Sequence, residues 1–308
     1  MEDSNDRIVI GLCTFNRPEP LKEALDSLSQ IDIPKKTEVE LVLVDNDENA
    51  GAKYIFDAYA SDMPFKCHYF VEKDRGLAHV RNRVIGEALK LHATAIAMFD
   101  DDEIVSQEWL VELYKAFKES GSDGVAGTVY RLLPMGSSNL VKKLWPNRKE
   151  PANITLRLLP TSNCLFSINL VDPEGGNIRF SNVFNFSGRE DLAFSFDALF
   201  QGARFTSAPR AIVIEKFSKG RSTFKYLLRR WFDTGVTDVM VARHYGFGMK
   251  KRTLKEILSI IWRCLVLPFL LFGGARPLAV AILHITASLG WLWGLFGKKT
   301  NYYFKHVD

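Results

Sequence analysis

Between residues 8 and 130 the chain alternates short unbroken apolar runs with segments of helical period, and few folds accept that order. The runs at 8–12, 39–44, 67–71, 95–99 and 125–130 read as strands. The segments at 18–28, 50–60, 77–91 and 107–118 read as helices. The first helix opens on Pro18 and gathers Leu21, Ala24, Leu25 and Leu28 on one face. Continuously apolar strands joined by helices predict an α/β fold with a mainly parallel sheet covered on both sides. Ligands of such sheets bind at the C-terminal strand ends. Here those ends carry Thr14, Asp45 and the triplet Asp100-Asp101-Asp102.

Residues 131–160 read as an irregular, partly basic loop, 161–215 as a mixed region, and 216–247 as a basic loop followed by a helix. Residues 257–272 and 277–297 are two strongly apolar stretches, the first broken by Arg263 and Pro268, the second holding His284 alone as an ionisable group. The second is long enough to cross a bilayer. Lys250, Lys251 and Arg252 precede the pair and Lys298 and Lys299 follow it, so both flanks are expected on the cytoplasmic side. This predicts a sheet domain over 1–248 and a membrane-associated helical hairpin over 249–308; a buried helical pair in a soluble protein is the other reading.

A net charge of +4, with basic residues spread until the C-terminal third, gives no nucleic-acid footprint. The four cysteines, Cys13, Cys67, Cys164 and Cys264, have neither zinc-site nor disulfide-framework spacing. With a polar N-terminus lacking an apolar signal core, they point to cytoplasmic chemistry.

Phe99-Asp100-Asp101-Asp102-Glu103 ends an apolar strand, and extended alternation puts Asp100 and Asp102 on one side. Two such carboxylates suit a hard divalent cation that also accepts phosphate oxygens, or they form a solvated turn before a helix. Asp45-Asn46-Asp47 reads as a base or ribose contact, or as a turn. Gly76, Leu77, Arg81 and Asn82 open a helix whose N-terminus can meet an anion, or lie on a solvated surface. Glu190-Asp191 begins another helix, where acids also occur for the dipole alone. Arg229-Arg230-Trp231, with Lys219, Arg221 and Lys225, suits a diphosphate or acceptor site and equally an anionic lipid surface.

In order and spacing these segments resemble family-2 glycosyltransferases over residues 7–240, and most of all the bacterial succinoglycan-type exopolysaccharide glucosyltransferases. The carriers are Gly11 to Pro18, Val44 to Asp47, Gly76-Leu77 with Arg81-Asn82, Phe99 to Asp102, Thr161 to Phe166, Glu190-Asp191 and Arg230-Trp231. The resemblance implies a GT-A fold, a nucleotide-sugar donor, Mg or Mn, and inversion at the sugar carbon. It implies that Thr14, Phe15, Asn16, Asp45, Arg81 and Asp100 bind the donor and that Asp102 holds the metal. Asp191 is implied as the base, and Asn163, Glu190, Arg230 and Trp231 as contacts to acceptor or diphosphate. Three departures stand out: Arg189 where a second glycine is common, Ile214 where a histidine often ligates the metal, and Leu227 where processive synthases carry glutamine.

The expected function is transfer of a sugar from a UDP-type donor to an acceptor hydroxyl of a lipid-linked glycan at the cytoplasmic face of the cell membrane, in polysaccharide synthesis. The rival readings are a metal-dependent nucleotidyltransferase, which releases pyrophosphate, and a catalytically silent membrane adaptor of the same fold.

Overall fold

At the centre of the sheet, β1 (Asp6–Thr14) pairs in parallel with β2 (Thr37–Asp45) on one side and β4 (Ala95–Asp100) on the other, and β3 (Lys66–Val71) pairs in parallel with β2. The register sets Thr14 opposite Asp45 and Cys13 opposite Asp100, so the polar strand ends share one edge. This computed structural model describes residues 6–147, 151–152 and 154–297, except the side chain of 271. The polar residues 1–5 and the Lys298-Lys299 flank lie outside the described residues.

Four helices cover the parallel strands: α1 (Pro18–Leu28), α2 (Lys53–Ala60), α3 (Leu77–Lys90) and α4 (Trp109–Ser120). Leu21, Leu25 and Leu28 of α1 bury against Ile8, Ile10 and Leu12 on one sheet face. Val80, Val84 and Ile85 of α3 bury against Val9, Val42 and Val44 on the other. Both side-chain rows of these strands are therefore buried, which is why the strands read as unbroken apolar runs. Gly11 permits the close approach of α3, because a Cβ there would stand 2.4 Å from Val84 Cγ1.

The second half of the sheet contains β5 (Glu103–Val105), β6 (Gly124–Leu132), β7 (Thr155–Leu156), β8 (Asn163–Ser167) and β9 (Phe205–Lys216). The strand order is β3-β2-β1-β4-β8-β6-β9-β5, with β7 also on β9. Strand β8 runs antiparallel to both its neighbours, β4 and β6, so the sheet is mixed beyond β4. Between β6 and β8 the chain forms the six-residue helix α5 (Asn139–Leu144), capped by Ser138, and the short strand β7.

Helix α6 (Glu190–Phe200) follows β8 and returns the chain to β9; α7 (Phe224–His244), α8 (Met249–Leu270) and α9 (Ala275–Leu295) end the described chain. Helix α9 has 21 residues and a mean hydropathy of 1.7, and among the described residues it alone is long and apolar enough to cross a membrane. It lies on α7 through glycines: a Cβ on Gly235 would stand 1.9 Å from the Ala287 carbonyl oxygen, and one on Gly290 would stand 2.1 Å from that of Phe232. The expected hairpin therefore shares an interface with the sheet domain. Helix α8 buries none of its residues and exposes Leu258, Ile261, Trp262, Leu265 and Phe269.

Candidate active site

The turn after β1 and the turn after β4 meet at the polar edge. Thr14 Oγ1 donates to Asp101 Oδ2 at 2.7 Å, and Arg17 Nη1 donates to Asp101 Oδ1 at 3.0 Å. Arg17 also reaches Asp102 Oδ2 at 3.4 Å. Strand β4 stops at Asp100, so the following residues leave the extended alternation, and Asp100, Asp101 and Asp102 all line one cavity. Asp100 and Asp102 thus share a side as expected, and Asp101 joins them. Burial pushes the Asp101 carboxyl up to about 6, against the pull of Arg17 and the Thr14 hydroxyl. Burial likewise pushes the Cys13 thiol up to about 12, so it stands in the cavity wall as a neutral group.

Arg221 Nη1 donates to Asp102 Oδ2 at 3.1 Å and its Nη2 to Glu215 Oε1 at 2.8 Å. Phe15 carries the Arg75 guanidinium over its ring at 3.4 Å from the centroid. Arg81, buried, pairs with the buried Glu190 and approaches Asp100 Oδ1 at 3.4 Å. Burial opposes charge on Arg81, but Glu190 and Asp100 outweigh it and its pKa is raised. The second oxygen of Glu190, Oε2, has no hydrogen-bond partner among the described residues.

Two adjoining cavities of about 270 and 250 Å³ share Leu77, Arg81, Asp100, Ser162 and Arg230, and so form one cleft. Thr14, Phe15, Arg17, Asp101, Asp102 and Arg221 line one end; Glu190 and Asp191 line the other. Of the residues expected from sequence, Thr14, Phe15, Arg81, Asp100, Asp102, Glu190, Asp191 and Arg230 line this cleft. Arg221, from the basic cluster read as a diphosphate or acceptor site, lines it too, and so do Arg17, Asp101 and Ser162, to which sequence reading assigned no role of their own. Arg17 and Ser162 are adjacent to or within the quoted motifs, which was the available signal.

Four expected residues are not in the cleft lining. Asp45 is buried, and its carboxylate accepts from the Asp47 and Ala52 amides at 2.9 and 2.8 Å and from the Tyr69 hydroxyl at 2.7 Å. Its neighbour Asn46 clamps the loop before α3, accepting from the Gly76 amide and donating to the Glu72 and Asp74 carbonyls, each at 2.8 Å. Asn16 adopts a φ of 49° and forms the turn out of β1. Asn163 is buried: it donates to the Thr128 and Ala211 carbonyls at 3.0 and 2.9 Å and accepts from Trp109 Nε1 at 2.9 Å. Trp231 turns to the His284 ring of α9, with centroids 4.8 Å apart. These side chains hold the walls, because a polar group buried without partners is costly.

A mixed sheet of this order, with an acidic cleft at the ends of its parallel strands, is that of a GT-A-type glycosyltransferase. The model of glycosyl transferase family 2 matches residues 9–172, more than half of the chain, and the chain belongs to that family. It is 26% identical over 259 residues to the succinoglycan biosynthesis protein ExoM of Rhizobium meliloti (strain 1021), covering 82% of this chain and 80% of that one. Among solved structures it is similar to S. aureus TarS 1-349 in complex with UDP-GlcNAc, with a TM-score of 0.54, 18% identity, and coverage of 95% of this chain and 92% of that one. The same fragment in complex with UDP gives a TM-score of 0.53 at 17% identity, with the same coverage of both chains. The enzyme is a glycosyltransferase.

Proposed function

We propose that the cleft moves a sugar from a UDP-sugar to an acceptor hydroxyl in one displacement, inverting the sugar carbon. The observation that carries this reading is the continuity of the cleft, with Asp102 and its arginines at one end, Asp191 at the other, and Arg81 and Asp100 between them. Asp191 accepts the proton of the acceptor hydroxyl as that oxygen attacks the sugar carbon. The bond from that carbon to the diphosphate breaks, and the nucleoside diphosphate leaves with the electron pair. Arg17, Arg221 and Arg230 line the cleft where negative charge grows, and offset it.

Mg or Mn fits the donor set. Among the described residues no group of three or more His, Cys, Asp or Glu side chains could hold a metal ion. Asp102 nevertheless offers hard carboxylate oxygen to the cavity that Asp100 also lines, and diphosphate oxygens can complete the shell. Asp102 would hold the ion, which when bound supplies positive charge to the leaving group. Arg17 and Arg221, now on Asp102, would turn to the phosphates.

The likeness to ExoM supports a role in polysaccharide synthesis, and the TarS complexes support a UDP-linked donor. The exposed apolar face of α8 beside α9 supports attachment to the cell membrane as a helical hairpin over 249–308. The basic flank Lys250-Lys251-Arg252 supports its cytoplasmic face, where a lipid-linked glycan would be the acceptor. The test is Asp191→Asn with UDP-sugars, Mn and a membrane lipid extract. Loss of UDP release with retained UDP binding is expected. Normal turnover removes Asp191 from the role, and pyrophosphate release would instead favour nucleotidyl transfer.

A further inference from the structure

A third cavity, of about 650 Å³, opens between α6, α7, α8 and α9, and no step above uses it. Its walls are mainly apolar, with Leu192 and Phe196 from α6, Val241 from α7, Phe247 from the connecting loop and Trp291 from α9; the acid among them, Asp238, is paired with Arg189. Its mouth is cationic, formed by Lys251, Arg252 and Lys255 of α8. Arg252 is already engaged, with Glu256 at 2.7 Å and over the Trp291 ring at 5.3 Å. Lys251 and Lys255 are exposed, and among the described residues neither is within ion-pair distance of a carboxylate. Four residues apart on one helix, they present two charges on one side of the mouth.

We propose that this cavity holds the lipid end of the acceptor, a long apolar chain ending in a phosphate or diphosphate. The chain would enter between Phe196, Val241 and Trp291, and the phosphate would rest on Lys251 and Lys255. The size is that of a pocket for one small molecule, ~300–1,000 Å³, and the apolar interior under a cationic rim matches an anionic amphiphile at both ends. The exposed residues Leu258, Ile261 and Leu265 of α8 continue the apolar path outward, toward where the rest of a long chain would lie.

The cavity is next to the chemistry. Asp191 lines the catalytic cleft, and the residue after it, Leu192, lines the lipid cavity. The partition between them includes an ion pair, Arg189 Nη2 to Asp238 Oδ1 at 2.7 Å, backed by Arg189 Nε donating to Thr237 Oγ1 at 3.1 Å. Arg189 faces the cleft and Asp238 the cavity, which gives the unusual arginine at this position a part: it divides the two spaces. A glycan on the bound phosphate would cross above this pair to reach Asp191.

The inference rests on the glycosyl-transfer reading above, and its test separates the two. The probe is dodecyl phosphate below its micelle concentration, so that no bilayer contributes, measured against the full chain by calorimetry. Dodecanol and inorganic phosphate are the two controls. Saturable binding of one dodecyl phosphate is expected, at least tenfold tighter than either control. Lys251→Glu with Lys255→Glu should weaken it at least tenfold. Gly248→Phe should do the same by filling the space, since Gly248 lines the cavity and a Cβ there meets no atom within 4 Å. Both variants should retain wild-type release of UDP from a UDP-sugar with water as acceptor, while the KM for a lipid-linked acceptor rises and kcat holds. Equal binding of dodecanol, or unchanged affinity in both variants, overturns the lipid site. Absence of UDP release from wild type overturns the transferase reading while leaving the binding result to stand.

Discussion

Arg81 of α3 and Glu190 of α6 form an ion pair with both side chains buried beneath the cleft, 6% and 4% exposed, and Asp191 follows Glu190 directly. The pair ties the first turn of α6 to the sheet and so fixes where Asp191 stands relative to Asp100. Removing one partner leaves the other charge buried, which costs ~3–5 kcal/mol. Arg81→Met should therefore lower stability by about that amount, read as a fall in the denaturant midpoint. Glu190→Gln should cost less than Arg81→Met if the amide still accepts from Arg81. Equal, near-zero effects of both would show that the pair does not hold α6.

Asp101 gives the enzyme a dependence on pH. Its carboxyl, raised to about 6 by burial, holds Arg17 at the cleft edge only while ionised. The acid limb of kcat/KM for the donor should fall with a midpoint near 6, and Asp101→Asn should flatten that limb at low activity. The sign for stability is opposite. A carboxyl with a raised folded pKa binds its proton more tightly in the native state, so its cost is present at neutral pH and relieved as pH falls through about 6 toward 4. Asp101→Asn should thus be more stable than wild type at pH 7, by up to about 3 kcal/mol, and indistinguishable from it near pH 4. A Tm difference that does not vary with pH would refute this.

Chelation offers a check on Asp102. Removal of divalent ions should abolish UDP release, and Mg or Mn should restore it. Asp102→Asn should need at least tenfold more metal for half-maximal rate, because it removes the carboxylate that would hold the ion. Full activity in chelator would remove the ion from the reaction.

Asn163→Ala should behave as a structural variant. It leaves Trp109 Nε1 and two carbonyls without their partner in a buried position, at ~1–3 kcal/mol for the unsatisfied group. A lower Tm with kcat/KM within about twofold of wild type is expected at temperatures where the variant is folded. A hundredfold loss of activity in a stable Asn163→Ala protein would return this residue to the site.

The same contrast explains what sequence reveals here. The parallel strands and α1 were legible because burial on both sheet faces demands unbroken apolar runs, and because Leu21, Ala24, Leu25 and Leu28 repeat at helical spacing. Thr14, Asp100, Asp102 and Asp191 were legible as strand-end or helix-start residues. Asn163 and Asp45 were not separable from them, since a buried polar wall residue and a ligand-facing one look alike until their partners are known. The direction of β8 was hidden for a related reason: a five-residue apolar strand carries no mark of which way it runs. The third cavity was invisible because it exists only once α6 packs against the three C-terminal helices, and no local pattern records that packing.

The glycine contact between α7 and α9 decides whether the C-terminal helices are a separate unit. At Gly235 an added Cβ would meet the Ala287 carbonyl oxygen at 1.9 Å and the Trp291 amide nitrogen at 2.7 Å, both backbone atoms of α9. Neither can rotate away, so Gly235→Ala must push the helices apart, and forced overpacking costs ~1–3 kcal/mol. The variant should show a lower Tm in detergent and faster hydrogen exchange in α9. Because α7 also carries Arg230 into the cleft, separation should raise the KM for the donor as well. If 249–308 were an anchor independent of the sheet domain, Gly235→Ala would leave both the Tm of that domain and its KM unchanged.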